Sequence, residues 1–196
     1  MKRFTIMVAV VAMVALLYGN AFAAKASSSS NKTEVDGMLS LASDPVSGFG
    51  TTLGLGAGIG FDLTDRLKPS TGKLFGRADI NYFSWDESMW GVTLNYTKIP
   101  IFVGGRYYVP TSGSNVDIFV EAGLEFSFDK AEVAVPSFFF PGVLKSSESS
   151  LHIGITPGAG IEIPISNDGL FIGGDARWHM ITDDYFTLSL VLGKKF

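Results

Sequence analysis

Asp184-Tyr185-Phe186-Thr187-Leu188-Ser189-Leu190-Val191-Leu192-Gly193-Lys194-Lys195-Phe196 closes the sequence, and its reading decides the fold. Phe186, Leu188, Leu190, Leu192 and Phe196 fall on one face of an extended chain, interrupted only by Lys194. Tyr185, Thr187, Ser189, Val191, Gly193 and Lys195 fall on the other. Period-two alternation of this kind marks a strand that lies between two different environments.

The same alternation recurs upstream. Phe49, Leu53, Leu55, Ala57, Ile59, Phe61 and Leu63 alternate with Gly50, Thr52, Gly54, Gly56, Gly58, Gly60 and Asp62. At ~3.3 Å per step and a tilt of ~40°, Phe49 and Phe61 stand roughly 30 Å apart along a barrel axis. Lys73 to Trp85, Val116 to Lys130, Leu151 to Ile165 and Leu170 to Ile181 alternate likewise, and Glu34 to Ala42 is a weaker first strand. Gly91 to Val109 changes phase: Val92, Leu94 and Tyr96 use even positions, whereas Ile99, Ile101, Val103, Tyr107 and Val109 use odd ones. A bulge near Lys98 or Pro100 is expected there. Asp62–Gly72, Thr111–Asn115, Ser166–Gly169 and Thr182–Asp184 read as turns, Asp86–Trp90 as a short loop, and Ala131–Ser149 as a long irregular segment. The sum is eight strands: an all-β, closed, antiparallel transmembrane β-barrel.

The terminal strand resembles the closing strand of bacterial outer-membrane β-barrels, where a final Phe is typical. That resemblance implies recognition by the barrel-assembly machinery during insertion. Lys98-Ile99-Pro100-Ile101-Phe102-Val103-Gly104-Gly105-Arg106-Tyr107-Tyr108 resembles an Ile-Pro…Tyr-Tyr strand of the small porin-like outer-membrane barrels, the OmpA/OmpX/OmpW type. The family name describes a fold more than an activity. At the other end, Lys2 and Arg3 precede the apolar run Phe4–Leu17 and Ala21-Phe22-Ala23, the pattern of a secretory signal peptide over residues 1–23. Residues 24–33 are expected to be a flexible lead-in and 34–196 the barrel. Together these imply the outer membrane of a Gram-negative bacterium, reached by export through the inner membrane, with outer-membrane lipid as the surroundings and a monomer by default.

Alternation alone does not say which face is inside. A lipocalin-like secreted barrel would turn the apolar face inward. The glycine-rich polar face favours the opposite, because a narrow lumen needs small residues beside large ones. Charged residues make up 17% of the chain, below the ~25–35% suited to a soluble surface. The inward set is then Arg77, Asp79, Arg106, Glu121, Glu125, Glu162, Asp175, Arg177 and His179, expected as a paired charge network. Register projected from the turns sets Gly158 beside Arg177, Gly160 beside Asp175, Arg177 beside Ser189 and His179 beside Thr187. Phe49, Phe61, Tyr82, Tyr107, Phe126, Trp178, Phe186 and Phe196 are expected in the aromatic girdles. Phe138, Phe139 and Phe140 mark the long segment as a surface loop, which either packs its own rings over the barrel mouth or meets an external ligand or surface partner.

Several classes fall away. Removing Lys2 and Arg3 with the leader takes the formal charge from −4 to −6, which does not suit nucleic acid. Without cysteine the chain has neither a disulfide nor a lipoprotein anchor. His152 and His179 are isolated, so no metal site, catalytic triad or cofactor is expected, and Ser150 is expected on the opposite strand face from His152. The expected role is structural or surface-interacting through 131–149 above a plugged polar lumen. The alternatives are a narrow porin-like passage for small or apolar solutes and, secondly, the soluble barrel.

Overall fold

The computed structural model describes residues 33–43, 50–89, 92–111, 115–136 and 143–196. They form β1 (Thr33–Ala42), β2 (Thr52–Asp62), the single helical turn α1 (Thr64–Leu67), β3 (Lys73–Met89), β4 (Val92–Val109), β5 (Asp117–Pro136), β6 (Val143–Pro164), β7 (Leu170–His179) and β8 (Tyr185–Lys195). Each strand pairs antiparallel with the next, and β1 closes on β8 from Glu34–Lys195 to Ala42–Thr187. Closure satisfies the backbone of every strand within the wall, the condition for crossing a bilayer with strands. Residues 44–49, with Phe49, and 137–142, with Phe138 to Phe140, lie outside the described residues.

The barrel is inside-out relative to a soluble one. Leu53 and Ile153 are 63% and 60% exposed on the outer wall, whereas Arg77, Arg106, Glu125 and Glu162 are buried within. The lipocalin-like alternative required the reverse, so the structure overturns it. Ile118, Val120, Leu124 and Phe128 climb the outer face of β5. Ten residues of rise from Ile118 to Phe128, at ~3.3 Å each and ~40° of tilt, give roughly 25 Å, the height of a membrane-facing band.

Three expectations are corrected. First, β3 and β4 carry no bulge: pairing steps evenly from Lys73–Tyr108 to Met89–Val92. Tyr96 is buried on the same inner face as Lys98 and Arg106. The phase change is therefore an inversion of polarity along an unbroken strand. Second, neither Asp86–Trp90 nor Ala131–Ser149 is simply loop. β3 continues to Met89, and β5 and β6 stay paired from Lys130–Ser149 to Pro136–Val143. Serine and charge there disguise a retained alternation, with Val133 and Val135 turned one way and Glu132 the other. Third, Arg177 pairs with Thr187 and Asp175 with Ser189, two residues from the projected register, while His179 pairs with Tyr185. The turn pivots on Thr182, with Met180 still bridged to Ile155 and Ile181 buried. A slip of two preserves parity, so every affected residue keeps its face. At the Ser166–Gly169 hairpin the projection matches: Gly158 pairs with Arg177 and Gly160 with Asp175.

The polarity inversion locates the outer boundary of the lipid belt. Across three strands, Ile99, Phe128 and Leu151 form an apolar outward row. The next row up is Ser84, Thr97, Lys130 and Ser149. Above it stand Asp86, Asn95, Glu132 and Ser147. The upper parts of β3 to β6 thus form a four-stranded sheet projecting from the barrel, polar outside, with Leu94 and Val133 paired on its inner face.

The native chain has no cysteine, so single labels report this boundary directly. A spin label at Phe128→Cys should be accessible to oxygen in the lipid phase, and one at Lys130→Cys to a water-soluble relaxant. Reversed or identical accessibilities would contradict the boundary.

Candidate functional site

The nine inward residues expected from the sequence are all buried in the lumen. Five of them, with Glu34, which sequence reading missed, build a ring in its lower storey. The guanidinium of Arg77 on β3 contacts Glu34 on β1 at 2.9 Å and Asp79 at 3.3 Å. Arg106 on β4 contacts the same Glu34 oxygen at 3.3 Å and Glu121 on β5 at 3.0 Å. Arg177 on β7 donates to the other Glu121 oxygen at 2.6 Å and to both Asp79 oxygens, at 2.8 and 2.9 Å. Glu34, Arg106, Glu121, Arg177, Asp79 and Arg77 therefore close a ring of alternating charge around the lumen.

Outer clamps hold the ring. Asp36 grips Arg77 at 2.7 and 2.9 Å, and Glu162 accepts from Arg106 at 2.7 Å. Tyr108 donates to Glu34 and Glu162, and Lys195 reaches Glu162 at 2.6 Å. Arg106 and Arg177 lie over the rings of Phe119 and Phe102, at 3.8 and 4.7 Å, a favourable setting for a desolvated cation. Small residues make the space. A Cβ added to Gly58 would lie 2.6 Å from Arg77 Nη2, and one at Gly158 2.9 Å from Arg177 Cγ. Asp175 stands apart: it approaches Arg177 Nε at 3.8 Å but accepts no hydrogen bond among the described residues, and Arg106 Nη2 likewise donates none.

The upper storey uses weaker groups. Glu125 contacts His179 Nδ1 and accepts from Thr156 at 2.7 Å and Tyr185 at 3.0 Å, while His179 Nε2 meets Thr187 at 2.9 Å. The Tyr185 ring stacks on His179 with centroids 4.0 Å apart. Higher still, Lys98 pairs with Asp129 at 2.8 Å, and Tyr96 donates to the same carboxylate at 2.6 Å. Phe83, Trp85, Tyr96, Tyr185, Ala42 and Ile181 pack together at this end.

Ser150 and His152, expected on opposite faces, share one, because they stand two positions apart on the strand. Ser150 Oγ lies 2.9 Å from His152 Nε2, and Nδ1 meets the Thr182 hydroxyl at 3.0 Å. The ring nitrogen that a catalytic carboxylate would orient is thus engaged by a hydroxyl.

Glu34, Asp36, Lys98, Asp129 and Lys195 were missed, although parity could have found them. Glu34 and Asp36 alternate with Val35 and Gly37, Lys98 shares parity with Arg106, and Asp129 shares it with Glu121 and Glu125. On the outer wall, Phe61, Trp178 and Phe186 are exposed, and Tyr82, Tyr107, Phe126 and Phe196 partly so. Phe61, Tyr107 and Phe196 sit where β2, β4 and β8 finish, whereas Trp178 and Phe186 pair at the other end.

The fold and its polarity, charged within and apolar outside, are those seen in small outer-membrane β-barrels. Solved structures agree on the fold. A major outer membrane protein from Thermus thermophilus is 13% identical over 84% of this chain and 98% of that one, with a TM-score of 0.57. Ail, the attachment invasion locus protein of Yersinia pestis, is 13% identical over 84% of this chain and 97% of its own, with a TM-score of 0.53. No family model and no curated protein matches the sequence.

Breaking a buried ion pair leaves its partner charged and unsolvated, at a cost of about 3–5 kcal/mol. Arg177→Ala should therefore lower the unfolding free energy in detergent or lipid by about that much. Lys130→Ala removes only an exposed contact with Glu132 and should leave the midpoint within error. Equal effects of the two would contradict a dry network.

Proposed function

We propose that the protein is a non-enzymatic outer-membrane barrel with a plugged lumen, acting in surface structure or surface contact through residues 131–149. In this reading residues 1–23 are an export signal, 24–33 a lead-in, and the barrel-assembly machinery inserts residues 34–196 as a monomer. The observation that carries the plug is the closed ring of three arginines and three carboxylates. It ties β1, β3, β4, β5 and β7 together across a lumen that eight strands leave only wide enough for side chains. Such a ring serves the wall, not a solute.

The contact role is supported by the β5–β6 hairpin. It rises beyond the lipid belt, and β6 has its last pairing with β7 near Ile155–Met180. Above that level, from Ser146 to His152, β6 is bonded only to β5 among the described pairings. Its other edge presents unused backbone donors and acceptors, a template for an incoming strand.

One observation favours the passage instead. Among the described residues Asp175 and Arg106 Nη2 find no hydrogen-bond partner in the lower lumen, and a cavity of about 680 Å³ opens at that end, lined by Phe75, Tyr108, Asp117 and Lys195. A file of water would supply those partners.

Two measurements separate the readings. Wild-type barrels in planar bilayers should show almost no steady conductance. Deleting residues 131–149 should abolish binding to whatever surface the cells adhere to while leaving the barrel inserted. Steady, sizeable wild-type conductance, with adhesion unchanged by the deletion, would favour the passage.

A further inference from the structure

We infer that the lower lumen binds a monovalent metal cation of the sodium kind, held between the Asp175 carboxylate on β7 and the Ser189 hydroxyl on β8. The inference rests on the plugged-lumen reading above, in which bulk water does not screen these groups.

Charge balance asks for such an ion. Among the described residues the lower storey gathers six buried carboxylates: Glu34, Asp36, Asp79, Glu121, Glu162 and Asp175. Against them stand Arg77, Arg106, Arg177 and Lys195. The storey is short of positive charge, and a buried charge must be paired or neutralised. The shortage is felt at Asp175. Each of the other five carboxylates accepts a hydrogen bond from an arginine. Asp175 accepts none from any described residue, although it is only 4% exposed. Arg177 Nε stands 3.8 Å away and donates to Glu121 instead.

Oxygen donors stand where the ion needs them. Asp175 pairs across the wall with Ser189, and Ser189 with Ser40, so the three form one inward row over β7, β8 and β1. Ser40 Oγ lies 3.4 Å from Asn81 Oδ1 and 2.9 Å from Ser189 Oγ. Asn81 Nδ2 donates to Asp79 at 3.4 Å, which leaves the amide oxygen for Ser40. That oxygen can only accept, so the single Ser40 proton goes to it and the Ser189 proton goes to Ser40. Ser189 then offers only lone pairs to its other neighbour, Asp175. Acceptors set side by side in this way suit a hard cation, and one carboxylate with neutral oxygens suits a single charge. On the opposite flank of Asp175 the Phe119 ring closes the space, because a Cβ on Gly160 would overlap its Cζ.

The test unfolds the full mature chain by heat in a zwitterionic detergent, in sodium chloride or in choline chloride at equal ionic strength. Choline is too bulky for the row. Sodium should raise the midpoint by about 3 °C, the shift expected of a native-state ligand at several times its Kd. Asp175→Asn should unfold at the same temperature in both salts, and Glu132→Gln on the exposed hairpin should keep the shift. Should Asp175→Asn not fold, the wild type still decides: crystals grown with thallium(I) should show anomalous density beside Asp175. Equal wild-type midpoints in the two salts, or crystals without that density, overturn the inference. So does a midpoint that follows pH identically in both salts, which assigns the place to a proton. Equal midpoints with no conductance in planar bilayers remove the cation alone, whereas equal midpoints with steady conductance overturn the plugged-lumen reading beneath it as well.

Discussion

Three guanidinium groups buried inside the barrel dictate much else in this molecule. A buried charge must be paired, and an arginine offers five donors in a fixed fork. Arg77, Arg106 and Arg177 meet the requirement by sharing carboxylates: Glu34, Glu121 and Asp79 each bridge two of them. Sharing makes the ring stringent. Each carboxylate must stand between two cations from different strands, so the register of the wall and the pairing of the charges have to agree. The same demand explains the glycines beside Arg77 and Arg177, where any Cβ would occupy space that the guanidinium or its stem already fills.

The exterior obeys the opposite rule over a limited height. Lipid tails tolerate apolar side chains, and the outward positions from Ile118 to Phe128 are all apolar. Where the tails end, β3 to β6 continue into water and the sheet exchanges its faces. Lys98 and Asp129 are paired across the strands at this level, above the Glu125–His179 storey. Barrel and projecting sheet are thus one continuous structure serving two solvents, and the inversion needs no change of register, although the β3–β4 ladder skips the two pairs opposite Ile99 and Pro100.

The fold was legible because alternation survives in strand after strand, from Leu53–Phe61 to Phe186–Leu192. Parity alone assigned the nine lumen residues to one face and the girdle residues to the other. What alternation cannot supply is displacement along a strand. The slip at β7–β8 kept every face and changed every neighbour, so Arg177 met Thr187 in place of Ser189. Nor does alternation distinguish a bulge from a change of solvent: Val92, Leu94 and Tyr96 shift phase either way, and only the even pairing with β3 and β5 decides. Glu34 and Asp36 escaped because β1 is short and its apolar face weak, though they hold one side of the ring. The sharing of one carboxylate by two arginines is a three-dimensional fact that spacing in the chain does not encode.

The central claim is that the ring is a dry, cooperative unit, and a double-mutant cycle on its Asp79–Arg177 link tests it most directly. Asp79→Ala, Arg177→Ala and the double variant would be unfolded in the same lipid or detergent. A bidentate pair buried in the ring should give a coupling energy of at least about 2 kcal/mol, with the double variant more stable than the sum of the single losses implies. A coupling below about 0.5 kcal/mol, the additivity expected of independent sites, would mean that water screens the pair, and the ring would not be the element that organises the lumen.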